Sequence, residues 1–169
     1  MKIQIKLNTE DTIKLELYPE IAPKTVENFI KLVREGYYKN TVFHRIIKGF
    51  MIQTGGYKIE NNTLLELGEV DSIKGEFATN GFKNDLKHEL GVISMARTSD
   101  PNSATSQFFI CAGTASWLDG EYAAFGKTID KESNDVILKI ANVPTMNIGG
   151  GFSDFPTFDV GIIDIQEIE

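Results

Sequence analysis

Cysteine is almost missing from this sequence: Cys111 stands alone, so no disulfide can close within the chain. No Cys-x-x-Cys pair or Cys/His cluster offers zinc its four ligands either, which excludes structural zinc. Histidine is nearly as scarce, with only His44 and His88, and no Gly-x-Ser-x-Gly elbow accompanies them. A serine hydrolase would need one of these two as its base, and an isolated histidine is more often structural or solvated. Dense basic runs are lacking too. With 24 acidic against 17 basic residues the net charge is −7, which repels phosphate backbones and anionic lipid, so neither nucleic acid nor a membrane is an expected partner. Nothing approaches the ~20 apolar residues of a membrane helix. The N-terminus, Met1-Lys2-Ile3-Gln4-Ile5-Lys6-Leu7, alternates where a signal peptide would be unbroken, so the expected address is the cytoplasm. Gly149-Gly150-Gly151 lacks the following Lys-Ser/Thr of a phosphate cradle and reads as a flexible loop. Asn61-Asn62-Thr63 fits a glycosylation sequon and, without a secretory signal, reads as a chance match.

What is present describes an ordinary soluble domain. The 169 residues are 41% hydrophobic and 24% charged, enough for one well-packed core, and the expectation is a single domain over 1–169. Apolar residues alternate at Ile3, Ile5 and Leu7 and again at Ile13, Leu15 and Leu17, with Asn8-Thr9-Glu10-Asp11 between, which predicts a hairpin. From Pro23 the period changes to Val26, Phe29, Ile30 and Val33, the stripe of an amphipathic helix that Gly36 ends. Short β-rich runs follow at 42–47, 50–54, 91–96, 107–111 and 123–129, a second helix at 133–142, and a last strand within 158–168. The alternation of that last strand slips by one residue, which predicts a bulge. Residues 55–90 show weak periodicity and read as one long loop, packed down through Phe77, Phe82 and Leu86. Eight short strands and two helices, without repeated strand-helix-strand units, predict an antiparallel β-barrel or sandwich, and closure would remove its exposed edges.

The chemistry concentrates in two stretches, residues 43–53 and Ser106-Gln107-Phe108-Phe109-Ile110-Cys111. Strand alternation puts Met51 with Gln53 on one face and Gln107 with Phe109 on one face, while Ile52, Phe108 and Ile110 turn inward. By the same rule Phe43 and Arg45 share a face, so Arg45 joins the outer wall. Taken singly, Arg45 reads as a surface charge and Met51 and Phe109 as core filler. A guanidinium and two amides beside an apolar floor, however, compose a site.

These residues carry a resemblance. Phe43-His44-Arg45-Ile46-Ile47, Gly49-Phe50-Met51-Ile52-Gln53, Ser94-Met95-Ala96-Arg97, Ser106-Gln107-Phe108-Phe109-Ile110 and Trp117-Leu118-Asp119-Gly120 with Phe125-Gly126 resemble the signature of the cyclophilins, the cyclosporin-binding peptidyl-prolyl isomerases. The likeness runs from about Ile3 to Glu169. It implies a closed eight-stranded antiparallel barrel capped by two helices, with a proline pocket on its outer wall. It assigns catalysis to Arg45 supported by Gln53, the pocket floor to Phe50, Met51, Phe109 and Leu118, and contact with the substrate backbone to Ala96, Arg97 and Gln107. Trp117 would line the rim and contribute to cyclosporin affinity. Tyr122 stands where a histidine often closes the pocket, Arg97 where an asparagine is frequent, Lys48 where a proline is usual and Thr54 where a glycine is usual; the stretch 97–105 is bacterial in style. Phe50 would face away from Met51 by strict alternation, unless Gly49 bends the chain. The implied partners are proline-containing peptides and unfolded proteins, with cyclosporin A as an inhibitor and a monomer as the working state. No metal or other cofactor enters the scheme. The competing reading is a proline-peptide binding module or chaperone that uses the same groove without significant turnover.

Overall fold

Alternation sets the first two strands, and the computed structural model, which describes Met1–Glu169, places them as expected. In β1 (Lys2–Leu7) and β2 (Thr12–Leu17), Ile3 pairs with Leu15 and Ile5 with Ile13, and all four are fully buried. Lys2, Lys6 and Lys14 face out. The 3.6-residue stripe then forms α1 (Pro23–Arg34), with Pro23 at its start and Val26, Phe29, Ile30 and Val33 buried. Glu35 caps the helix, and Gly36 turns the chain away at φ +71, a left-handed conformation that favours glycine.

The remaining elements are β3 (Thr41–Val42), β4 (Arg45–Ile47), β5 (Met51–Thr54), β6 (Tyr57–Glu60), β7 (Thr63–Glu66), β8 (Val92–Met95), β9 (Phe108–Cys111), β10 (Ala124–Thr128), α2 (Lys131–Ala141), β11 (Thr145–Met146), β12 (Phe155–Pro156) and β13 (Gly161–Ile168). Antiparallel pairing gives the order β4-β5-β9-β8-β10-β2-β1-β13-β3-β6-β7. β3 and β4 are two halves of one run, 41–47. Between them the N–H of Phe43 donates to the Val160 carbonyl and the N–H of His44 to that of Gln53, so one stretch stitches the β13 edge to the β5 edge. Counting β3 and β4 as one wall strand and setting aside the β6–β7 hairpin that extends from it leaves eight, the number expected of the barrel. Phe29, Tyr38, Phe108 and Phe125 meet inside it, with Phe29 5.3 Å from each of the other three rings, in a core that also takes in Ile137 and Ile140 of α2.

Two expectations need correction. The run 42–47 is not one regular strand; the break at Phe43 and His44 lets Phe43 and Ile46 both enter the core while Arg45 turns out, so Phe43 and Arg45 do not share a face. Residues 55–90 are not a single loop: β6 and β7 form a hairpin turned at Asn61 and Asn62, both left-handed at φ 51 and 61. Asparagine tolerates that conformation better than most residues, so the pair that reads as a sequon is a hairpin turn. A short β11–β12 ladder adds a pairing that no periodicity in the sequence signals. The bulge expected in the last strand is present. Lys6 pairs with Asp164 but Leu7 with Ile162, which expels Ile163 to 51% exposure.

One long-range contact fixes α1. No side chain caps Ala22. Instead the buried Glu76 carboxylate accepts hydrogen bonds from the Thr25 N–H at 2.6 Å and the Thr25 hydroxyl at 2.7 Å, where the positive end of the helix favours an anion. Glu76→Ala is expected to lower the unfolding free energy by about 2 kcal/mol in urea titration, and Glu76→Gln, which keeps an acceptor oxygen, by less. Equal losses in the two variants would contradict this assignment.

Candidate active site

Register across β4, β5 and β9 builds the site. Arg45 lies opposite Gln53, Gln53 opposite Phe109, and Met51 opposite Cys111. Because side chains alternate, Ile46, Ile52 and Ile110 fill the barrel while Met51, Phe109 and Cys111 face outward. There they join Val92, Ala115, Leu118 and Ala124 in a second, smaller apolar cluster on the outer wall. A slip of one residue would exchange the two sets.

Over this cluster opens a hollow of about 190 Å³ lined by Arg45, Phe50, Met51, Gln53, Ala96, Arg97, Phe109, Leu118 and Tyr122. Cavities of ~150 Å³ admit a benzene ring, so a pyrrolidine ring fits. Gly49, at φ +75, supplies the bend that brings Phe50 round beside Met51. Two of the expected residues stand outside the hollow. Trp117 is 63% exposed and leans on Phe50 at 5.4 Å, on the rim. Gln107 lines the adjoining cleft with Thr98, Ser103 and Thr105.

A chain of polar side chains crosses the wall. Arg45 Nη1 donates to Gln53 Oε1 at 3.4 Å, a long bond that leaves the exposed guanidinium free to swing. Gln53 Nε2 donates to Gln107 Oε1 at 2.9 Å. Gln107 packs directly against residue 56, where only glycine leaves room: a Cβ there would sit 2.6 Å from the Gln107 amide nitrogen.

The comparisons with known proteins bear on this arrangement. The family model described as cyclophilin type peptidyl-prolyl cis-trans isomerase/CLD matches residues 2–167. The chain belongs to the cyclophilins. Peptidyl-prolyl cis-trans isomerase of Acinetobacter baylyi is 41% identical to it, covering 97% of this chain and 84% of that protein. Peptidyl-prolyl cis-trans isomerase B of Escherichia coli is 39% identical, covering 93% and 94%. Among solved structures, a Cryptosporidium parvum cyclophilin crystallised in the presence of the dipeptide Ala-Pro superposes with a TM-score of 0.76 at 33% identity, covering 98% and 97% of the two chains. This cyclophilin is therefore an isomerase, with the barrel and two helices of its family.

Two of the positions expected to differ from the commonest eukaryotic pattern, Arg97 and Tyr122, turn out to be one feature. The Arg97 guanidinium lies between the Phe77 and Tyr122 rings, 4.8 and 4.5 Å from their centroids. It also donates to the Glu121 carbonyl from Nε and Nη2, at 3.1 and 2.6 Å, and to the Thr98 carbonyl from Nη1 at 2.9 Å. This leaves the Arg97 charge committed to the pocket wall, so only the backbone of Arg97 is free to meet a ligand. Thr54 donates its hydroxyl to the Val42 carbonyl at the barrel seam.

Sequence reasoning missed the role of His88. Its buried ring is flanked by Asp119, whose Oδ1 lies 3.0 Å from Nδ1, and by Ser94, whose hydroxyl lies 2.9 Å from Nε2. The carboxylate can only accept, so Nδ1 carries the proton and Nε2 accepts from Ser94. This is the order of groups in a hydrolase triad, but Ser94 is fully buried and no substrate reaches it. Its place is structural: the imidazole stacks on Phe109 at 6.1 Å and 20°, under the pocket floor. Burial lowers the His88 pKa, partly opposed by Asp119. Burial would raise the Asp119 carboxyl, but the His88 N–H and ring together hold it below the usual carboxylate value. Cys111 is equally inert, its thiol pushed up to about 12 by burial and then by the Asp119 charge. No three His, Cys, Asp or Glu side chains gather to hold a metal ion.

Burial, and after it the neighbouring Arg45 charge, lowers the His44 imidazole to about 4. Above pH 6.5 neither the folded nor the unfolded chain protonates it. Below that value the unfolded chain gains a proton the folded one refuses until about 4, so acid favours unfolding across that window. The loss from His44 is about 2 kcal/mol at pH 5, and His88 adds to it in the same direction. The carboxylates held low by partners, Asp11, Asp119, Asp130 and Glu167, withdraw their contributions only at lower pH, below ~4.5. Urea titrations at pH 7 and pH 5 are expected to differ accordingly, and His44→Gln to shrink the difference. Equal stabilities in the wild-type protein at the two values would contradict the neutral burial of both rings.

Proposed function

We propose that residues 1–169 act as one domain that speeds rotation about X-Pro bonds in peptides and unfolded proteins, with Arg45 as the catalytic residue. The observation that carries this is the guanidinium of Arg45 at the mouth of an apolar hollow sized for a proline ring. Rotation about an X-Pro bond is slow because amide resonance must be broken, at a cost of about 18 to 20 kcal/mol. No covalent bond is made or cut. In the planar ground state the prolyl nitrogen lone pair is delocalised into the carbonyl and accepts poorly. As the bond twists, the lone pair localises on nitrogen and becomes an acceptor for an Arg45 N–H. The interaction exists only near the transition state, which is the condition for raising the rate and not merely the affinity.

Turnover in milliseconds requires a gain of about 10⁴, or ~5.5 kcal/mol. A single charge-assisted hydrogen bond supplies ~2 to 3 kcal/mol of that. The remainder is assigned to holding the ring over Met51, Phe109 and Leu118 while Gln53, Gln107 and the Ala96–Arg97 backbone anchor the flanking chain, so that the carbonyl side turns against a fixed prolyl side. Arginine fits this role better than lysine because its planar fork can meet the nitrogen while another N–H stays on Gln53.

The same groove is proposed to take cyclosporin A, with the exposed Trp117 as a rim contact. A monomer in the cytoplasm is proposed as the working state. No helix is long and apolar enough to cross a membrane. The test is a protease-coupled isomerisation assay on a short X-Pro peptide with and without cyclosporin. Acceleration that cyclosporin abolishes is the expected result; binding of the peptide without acceleration would overturn the proposal.

A further inference from the structure

We propose that the cavity on the far side of Arg45, walled by His44, Tyr57, Phe152 and Asp154, is a second substrate pocket that takes a basic side chain flanking the proline. This rests on the isomerase reading and assigns a sequence preference to the same groove. The cavity measures about 400 Å³, against about 190 Å³ for the proline hollow, and Arg45 lines both. The cleft beside Gln107 borders the hollow through Gln53, Ala96 and Arg97 and shares no lining residue with the His44–Asp154 cavity. A peptide seated with its proline in the hollow thus leaves over the Gln107 cleft on one flank and past Arg45 into this cavity on the other.

Its lining selects a cation. His44, Tyr57 and Phe152 form an edge-to-face wall, with His44 and Tyr57 4.8 Å apart and Tyr57 and Phe152 5.1 Å apart at 85°. Aromatic walls attract ammonium and guanidinium groups. The buried His44 is uncharged at neutral pH, so it does not oppose such a group. Arg45 by itself would make the cavity favour anions. Asp154, the other charged residue of the lining, makes no ion pair within the protein, and its carbonyl accepts the Ile46 N–H at 3.0 Å, which ties it to β4 beside Arg45. Its carboxylate brings the charge of the lining to zero, so the pull on a cation comes from the aromatic wall at close range and from the net charge of −7 at long range. The glycine run acquires a purpose here. Gly149, Gly150 and Gly151 all lie at positive φ, at 82, 62 and 88, and Ile148 donates its N–H to the Phe152 carbonyl at 3.0 Å, closing the turn that carries Phe152 to the wall.

The experiment walks lysine, alanine and glutamate through the positions before and after the proline of a short peptide and measures kcat/KM for the wild-type protein and for Asp154→Asn. Lysine is expected to exceed alanine by about three- to tenfold on one flank only, with glutamate below both. In Asp154→Asn that advantage is expected to vanish or to pass to glutamate, while the all-alanine peptide is turned over as before. No lysine advantage, an equal one on both flanks, or one that survives Asp154→Asn would overturn the proposal. Failure of the wild-type protein to turn over the all-alanine peptide would instead overturn the isomerase reading, and this proposal with it.

Discussion

Arg45→Ala is expected to fold normally and to lose about two orders of magnitude in kcat/KM on a proline peptide. The side chain is exposed and makes one hydrogen bond, a long one of 3.4 Å to Gln53, so little of the fold depends on it. What disappears is a charge-assisted bond formed only as the amide twists, about 2 to 3 kcal/mol, which corresponds to some 30- to 150-fold. Because the planar substrate makes no such bond, the loss belongs in kcat with KM little changed. Arg45→Lys keeps the charge and loses the fork, so it is expected to fall between the two. The coupled assay reads the rate and circular dichroism the fold. Wild-type rates in the alanine variant would remove Arg45 from the mechanism.

His88→Ala is expected to be the most damaging single change to stability near the site. Its imidazole is fully enclosed and joins three parts of the wall: Ser94 on β8, Asp119 after the Trp117-Leu118 turn, and Phe109 on β9, against which it stacks. Truncation leaves the Ser94 hydroxyl and one bond of the Asp119 carboxylate unmatched, and opens a void beneath the pocket floor. The Asp119 bond to the His88 backbone N–H, at 2.6 Å, survives. Together these losses come to about 3 to 4 kcal/mol, or ~10 °C in Tm for a chain of this length. A floor that has lost its backing holds the proline ring less well, so KM is expected to rise more than kcat falls. Thermal unfolding and steady-state kinetics read the two effects; a Tm within ~2 °C of wild type would show that the ring carries no such role.

Where the chain follows a strict period, sequence was enough. Ile3, Ile5 and Leu7 face Ile13, Leu15 and Leu17 as their alternation demands, the α1 stripe is buried, and the slip in the last strand is a bulge at Ile163. The outward row of Met51, Gln53 and Phe109 was legible for the same reason. Periodicity misled where the backbone leaves the ladder: Phe43 bonds to Val160, just before β13, and His44 to Gln53 on β5, and across that seam the alternation rule no longer applies. Contacts between residues far apart in sequence leave no local trace. Glu76 reaches Thr25 across 51 positions and His88 reaches Asp119 across 31, so each reads in the sequence as a lone polar residue. Arg97 and Tyr122 each read in the sequence as a separate difference from the commonest eukaryotic pattern, and only folding shows that they are in contact and form one stack with Phe77. The Asn61-Asn62 turn is a different case: its signal was present and a competing motif obscured it.

The account turns on what Arg45 does to a proline already bound, and exchange spectroscopy on an isotope-labelled X-Pro peptide separates that from capture. With saturating wild-type protein, the cis and trans signals of the bound peptide are expected to interconvert within milliseconds. With Arg45→Ala the peptide is expected still to shift the Met51 and Phe109 resonances while its cis and trans signals exchange about two orders of magnitude more slowly. Exchange as fast in the variant as in the wild-type protein would contradict the account.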